Sequence, residues 1–320
     1  MKIAILDDYQ GAVRQLDCFN LLTDQDVSVL NETYTDPAEL ASRLKGVEAL
    51  VLIRERTQIS DELLKRLPDL KVISQTGKIS NHIDPALCEK YGIEILEGRG
   101  SPVAPSELCW SLILAASRHL PAYVANLDAD NWQQSGPLGL GRTLEGLQLG
   151  IWGYGKIGQR IARYADAFGM KICVWGSETS RQKAEEDGYT AADSKAEFFR
   201  SSDVLSLHLR LNDATRGIVT PADLAQMKAD SLFVNISRAE LVEPGALLAE
   251  LQQHPSKRAA LDVFDSEPAT PSTDPLLALP NALCTPHIGY VEKNSYELYF
   301  RLAFENLLGW IEQRHYNGNT

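Results

Sequence analysis

Short β-branched apolar runs recur along the first hundred residues, at 2–6, 27–30, 49–53, 71–75 and 93–96. Between them stand stretches with helical spacing, such as 36–44 and 61–66, the second preceded by Ser60 as an N-cap. Alternating strand and helix predicts a parallel sheet covered on both faces. The segment EGRGSPVAPSE, around 98–105, breaks this rhythm, and a long apolar helix is predicted over 106–120. After a polar, Gly-rich stretch (131–146) a second series begins, with strands predicted at 148–152, 171–175, 204–209, 232–236, 259–263 and 282–285. Helices at 157–168 and 244–252 belong to this series. A last amphipathic helix, 294–311, carries Leu298, Leu302, Leu307 and Ile311 among its apolar positions and is placed to cross back to the first series. The expected organisation is two α/β domains joined by a hinge, 1–100 with 290–320 and 101–289.

Composition narrows the partners. The chain has 320 residues, 44% of them apolar, and carries 31 basic against 43 acidic residues for a net charge of −12. Such a chain, without a basic cluster, repels a phosphate backbone, so no nucleic-acid partner is expected. No apolar run approaches the ~18 residues a membrane span needs, and the opening MKIAILDDYQ reads straight into a strand rather than a leader. Five scattered cysteines (Cys18, Cys88, Cys109, Cys173, Cys284) lack metal-ligand spacing. They fit small buried residues in a reducing cytoplasm, and no metal is expected.

The sharpest local signal is LGIWGYGKIG, in which Gly153-x-Gly155-x-x-Gly158 follows a strand and opens a helix. In that setting the first glycine permits a tight turn, the second lets backbone approach a pyrophosphate, and the third lets helix and strand pack closely. The helix N-terminus adds unpaired N–H groups. A dinucleotide is therefore expected here, with Lys156, Ile157 and, later in the chain, Ile236 as further contacts; an ordinary Gly-rich turn is the alternative. An NAD site wants an acid about 20 residues on, at the end of the next strand. That strand ends in Gly176, followed by Ser177, Thr179, Ser180 and Arg181, donors suited to a 2′-phosphate. NADP is favoured over NAD, although Glu178 would oppose a phosphate if it pointed inward and Ser177 could merely cap a helix.

Three polar residues stand just past predicted strands: Arg238 in VNISRAELVE, Glu267 in LDVFDSEPA and His287 in CTPHIGY. Each has a bland explanation alone, as cap, loop carboxylate or structural histidine. Together they lie at the carboxyl edge of one presumed sheet, where ligands bind. A guanidinium can grip a carboxylate through two parallel bonds, and an imidazole backed by a carboxylate can exchange a proton with a hydroxyl or carbonyl. Beside a nicotinamide, that set suits hydride transfer between an alcohol and a ketone bearing an adjacent carboxylate.

In LGIWGYGKIG, HLRLNDATRGIV, MKADSLFVNISRAELV, AALDVFDSEP and TPHIGY, taken in order, the chain closely resembles the D-isomer-specific 2-hydroxyacid dehydrogenase family over nearly its whole length. The resemblance implies two doubly wound parallel-sheet domains, a Rossmann-type cofactor domain and a flavodoxin-like substrate domain, with the ligands in a cleft between them. It implies an NAD(P)-dependent reductase of a small anionic 2-oxo acid with D-stereochemistry. By it, Arg238 binds the substrate carboxylate and carbonyl, His287 is the general acid, and Glu267 bonds to His287 and raises its pKa. Asp262 matches the residue that contacts the nicotinamide carboxamide, although a buried strand-end hydrogen-bonder is an equal reading. QTGKISNHID resembles the substrate loop, which carries the carboxylate to backbone N–H groups of Thr76, Gly77, Lys78 and Ile79. The helix after PVAPSE implies a homodimer. Two departures stand out: Ala239 replaces the glycine that usually follows the arginine, which would be strained at φ > 0, and Gly176 replaces the acid. Glu267 disfavours formate dehydrogenase activity, and the end at Thr320 leaves no expected regulatory domain. A cofactor-sensing regulatory protein on the same fold, like the C-terminal-binding-protein corepressors, and a methyltransferase remain the rival readings.

Overall fold

A computed structural model describes residues 1–317. Of the expected 290–320 segment, residues 318–320 lie outside the described residues. The chain divides into two compact units, Met1–Ser101 with Val291–Thr320, and Pro102–Tyr290.

The first unit holds β1 (Lys2–Ile5), β2 (Asp26–Val29), β3 (Ala49–Leu52), β4 (Val72–Gln75) and β5 (Glu94–Glu97) in the order β2-β1-β3-β4-β5, with every pairing parallel. The central strands β3 and β4 are buried at every position, because helices cover both faces of a parallel sheet. Ser60 caps the helix Asp61–Leu64 by accepting from the Leu63 N–H, and Asp36 does the same for Pro37–Arg43.

The second unit holds β6 (Gln148–Trp152), β7 (Lys171–Trp175), β8 (Thr190–Ala191), β9 (Val204–Leu207), β10 (Leu232–Asn235), β11 (Arg258–Leu261) and β12 (Ala282–Cys284). Its order is β12-β11-β10-β9-β6-β7-β8, again all parallel. The fold is two α/β units on doubly wound parallel sheets. One core face gathers Ile151, Val174, Val204, Val234 and Ala260 against the helices Val103–Ser117 and Lys156–Ala167. The opposite face is built on Trp152, Phe198 and Phe199, three rings packed edge to face.

Three elements differ from the sequence reading. The helix predicted over 106–120 is two helices, Val103–Ser117 and Leu120–Asp128. His119 between them adopts φ 55°, and Pro121 sits in the first turn of the second helix, where a missing N–H is harmless. Strand β8 has two residues, too short to leave an apolar pattern. The C-terminal helix runs Lys293–Asn317 rather than stopping at 311, since polar helix-formers extend it and Arg314 stacks over Trp310.

Candidate active site

The seven-stranded sheet reverses its strand order between β6 and β9, and in open α/β sheets such a reversal opens a ligand crevice beyond the carboxyl ends. The 153–158 loop crosses this point. Gly153 adopts φ 100°, and a β-carbon there would lie 2.5 Å from the His208 carbonyl oxygen. A β-carbon on Gly158 would lie 2.2 Å from the Gly153 oxygen, so any larger residue would push the helix Lys156–Ala167 off its strand. Gly155 caps that helix and faces open space, with nothing within 4 Å of where a β-carbon would be. A bare helix N-terminus over an open cradle fits a pyrophosphate. Lys156 is exposed there, while Ile157 packs partly into the core. Ile236, just past β10, is likewise half-buried against this core. His208 follows β9, with Nε2 3.0 Å from the Ser206 hydroxyl. Burial pushes its imidazole down to about 4, so it adds no positive charge to the crevice near neutral pH.

At the end of β7, Gly176 holds φ 148°, a conformation that strains any residue with a β-carbon. Ser177 caps the helix Glu178–Glu186 by accepting from the Ser180 N–H at 3.3 Å. Glu178 accepts from Gln182 Nε2 one turn on, which lays its carboxylate along its own helix. The Arg181 guanidinium stacks on the Trp175 ring, 5.1 Å from its centroid.

The segments after β10, β11 and β12 carry the three chemical residues. Asn235 forms a tight side-chain turn, its Oδ1 accepting from the Ser237 N–H at 2.9 Å and its Nδ2 donating to the Arg238 carbonyl at 2.8 Å. Arg238 Nη1 donates to the Ser237 carbonyl at 2.6 Å. Ala239 opens the 3₁₀ turn Ala239–Leu241 and is not at positive φ, so alanine there is unstrained. Glu267 and His287 meet directly, with Nδ1 2.7 Å from Oε2, and the other Glu267 oxygen accepts from the Phe264 N–H at 3.0 Å. The His287 ring packs edge-on to Tyr290.

Asp262, one residue past β11, is 1% exposed. Its Oδ1 accepts from the Thr285 hydroxyl (2.7 Å) and the Ile288 N–H (2.8 Å), and its Oδ2 accepts from the Gly289 N–H (2.8 Å). Burial pushes its carboxyl up, while these donors pull the other way.

In the first unit the 76–79 loop follows β4. The Thr76 N–H donates to the Leu52 carbonyl and the Ile79 N–H to Glu97 Oε1, so both are engaged within the unit. Gly77 and Lys78 are the loop residues whose N–H groups have no partner among the described residues. Gly77 sits at φ 102° under the Arg54 guanidinium. The Lys78 ammonium pairs with Glu97 at 3.0 Å. Sequence reasoning missed Asn235, His208 and Glu97. Only Asn235 left a legible mark, an Asn two residues ahead of a polar N–H at a strand end.

Residues 110–289 match the family model described as D-isomer specific 2-hydroxyacid dehydrogenase, NAD binding domain. The chain belongs to the D-isomer-specific 2-hydroxyacid dehydrogenase family. Members are NAD(P)-dependent oxidoreductases that transfer a hydride on small 2-oxo or 2-hydroxy acids. The chain is similar to a phosphoglycerate oxidoreductase from Vibrio cholerae, at 66% identity and a TM-score of 0.97 over 98% of this chain and 99% of that one. It is 32% identical to a glyoxylate reductase of Aeropyrum pernix over 90% of this chain and 87% of the relative. A D-3-phosphoglycerate dehydrogenase of Methanocaldococcus jannaschii matches at 33% over 78% of this chain, which spans only 47% of that relative's length. The five cysteines of this chain are unpaired, and no group of metal-ligating side chains clusters among the described residues. Among those residues no helix is long and apolar enough to cross a membrane.

Proposed function

We propose that this chain reduces a small 2-oxo acid to its D-2-hydroxy acid, with Arg238, Glu267 and His287 as the reacting constellation. The observation that carries this is the 2.7 Å bond between His287 Nδ1 and a Glu267 carboxylate whose other oxygen is anchored to the Phe264 backbone. The bound nicotinamide would supply the hydride to the carbonyl carbon. Arg238 neutralises the substrate carboxylate through parallel N–H bonds and polarises the carbonyl. Glu267 bonds to Nδ1 and fixes the ring's orientation, which leaves Nε2 to deliver a proton to the developing alkoxide. The Gly77 and Lys78 N–H groups of the first unit are offered as donors to an anion such as a carboxylate. Arg238→Ala and His287→Ala should each lower kcat/KM for glyoxylate or hydroxypyruvate by roughly 10²–10⁴-fold. NAD(P)H affinity, read by nicotinamide fluorescence, should stay within about twofold, since neither residue belongs to the glycine loop. Wild-type turnover in both variants would overturn the proposal.

NADP(H) is the favoured cofactor. Gly176 offers no carboxylate to a ribose 2′-hydroxyl, Glu178 is turned along its helix, and Arg181 stands stacked on Trp175 beside that position. Arg181→Ala should cut the kcat/KM preference for NADPH over NADH by at least roughly tenfold. A wild-type enzyme that prefers NADH would sink this assignment.

A homodimer fits the second unit's surface. The helix Leu120–Asp128 buries none of its residues, and Leu120, Val124 and Leu127 form an exposed apolar stripe at helical spacing, with Trp132 (74% exposed) and Leu140 (92%) following. Val124→Glu with Trp132→Ser should convert a dimer to a monomer in sedimentation, and a monomeric wild type would exclude the dimer. The unpaired cysteines and the net charge of −12 support a cytoplasmic setting without nucleic acid.

A further inference from the structure

His287 stands at φ 50°, in the left-handed region that a side chain as large as imidazole seldom adopts. Such a conformation is costly and persists only where the surroundings over-determine it. The turn's own bonds do little here: the His287 N–H donates to the Thr285 carbonyl two residues back. Beyond the Thr285 N–H bond to the Leu261 carbonyl and the Glu267 contact at Nδ1, the outside constraint that spans the turn is Asp262. Its three acceptor contacts reach residue 285 on one side of His287 and residues 288 and 289 on the other, so one buried carboxylate grips the turn across the imidazole-bearing residue. The grip is close. A β-carbon on Gly289 would lie 3.2 Å from Asp262 Oδ2 and 3.8 Å from Pro105 Cβ, which ties glycine at this position to the approach of the carboxylate.

The family resemblance gives Asp262 a different task, contact with the nicotinamide carboxamide. Both of its oxygens already accept from the 285–289 turn, one of them twice, and the side chain is almost wholly enclosed. We infer that Asp262 is a positioning residue: it locks the 285–289 turn in its left-handed form and so delivers the imidazole to Glu267. His287 is then aimed from two directions, through its backbone by Asp262 and through Nδ1 by Glu267. Each restraint is hydrogen-bonded inside the second unit and draws nothing from a ligand. The imidazole is therefore aimed before any substrate arrives, which is what a proton donor needs if it is to meet a developing charge without first reorganising.

This rests on the role proposed for His287, and Thr285 provides the test. Thr285→Val deletes one of the three donors to Asp262 while leaving the carboxylate itself in place. We expect kcat to fall at least fivefold, with the NAD(P)H dissociation constant and KM for the cofactor unchanged and the melting temperature close to wild type. Thr285→Ser, which restores the hydroxyl, should restore kcat. Asp262→Asn should fall further, because its amide turns an N–H toward the Gly289 N–H. If Thr285→Val keeps wild-type kcat, or if both variants lose cofactor affinity in step with kcat, the clamp is refuted and Asp262 acts on the cofactor. Failure of the functional proposal would look different, since His287→Ala itself would then turn over normally.

Discussion

Two loops past strand ends, one in each unit, each have backbone N–H groups bonded to one carboxylate, and the two carboxylates live in opposite surroundings. Asp262 is enclosed, grips the 285–289 turn with three donors, and has its carboxyl pushed up by burial. Glu97 holds the 76–79 loop through the Ile79 N–H and the Lys78 ammonium, with its side chain 31% exposed and that of Lys78 72% exposed. Partial burial pushes the Glu97 carboxyl up, but the Ile79 N–H and Lys78 outweigh it and hold it below the usual glutamate range. In a low dielectric each hydrogen bond is strong and a missing one is costly; at the surface, water replaces what is lost. The buried clamp therefore fixes a conformation, whereas the surface one biases a loop that can still adapt.

The contrast can be broken hardest at Gly77. Its φ of 102° strains any substituted residue, and a β-carbon would sit 2.1 Å from Arg54 Nη1. The guanidinium can swing away, but the backbone strain remains. Gly77→Ala should lower stability by about 1–2 kcal/mol. It should also raise KM for the 2-oxo acid at least tenfold with NAD(P)H affinity unchanged, as read by calorimetry and steady-state kinetics. An unchanged KM would remove the loop from the substrate site.

The smallest effect belongs to Glu97→Gln. Because the folded pKa lies below the unfolded one, Glu97 contributes stability above the normal glutamate pKa and loses it as pH falls through the folded value. The pair is solvent-screened, so the contribution is a few tenths of a kcal/mol at neutral pH. Denaturant titrations of wild type and variant should separate slightly at pH 7 and converge once the pH falls below the folded-state value, or in high salt. A separation above ~2 kcal/mol would mean that the surface clamp works like the buried one.

Much of the fold was legible because parallel strands, buried on both faces, leave unbroken apolar runs; β6 and β7 begin and end where those runs do. What stayed hidden was decided by single residues or by length. One left-handed residue, His119, splits an apolar run into two helices, and the two residues of β8 leave no period to detect. In the candidate site, the glycines of the 153–158 loop could be read because the absence of a β-carbon is itself a sequence fact. The grip of Asp262 on residues 285–289, and of Glu97 on the 76–79 loop, joins positions distant along the chain, where no local pattern forms. The sequence could show which chemical groups stand past the strands, and could not show what each one holds.

Gly176 bears on how the nucleotide preference of this chain could change. With its backbone at φ 148°, an aspartate or glutamate introduced there would have to remodel the crossing from β7 into the next helix before its carboxylate reached any ribose. A designer seeking the opposite preference would do better to leave that glycine alone and recruit an acid from the 177–181 segment. An evolving lineage would face the same ratchet, in which the peptide path must shift first and the charge can follow only afterwards.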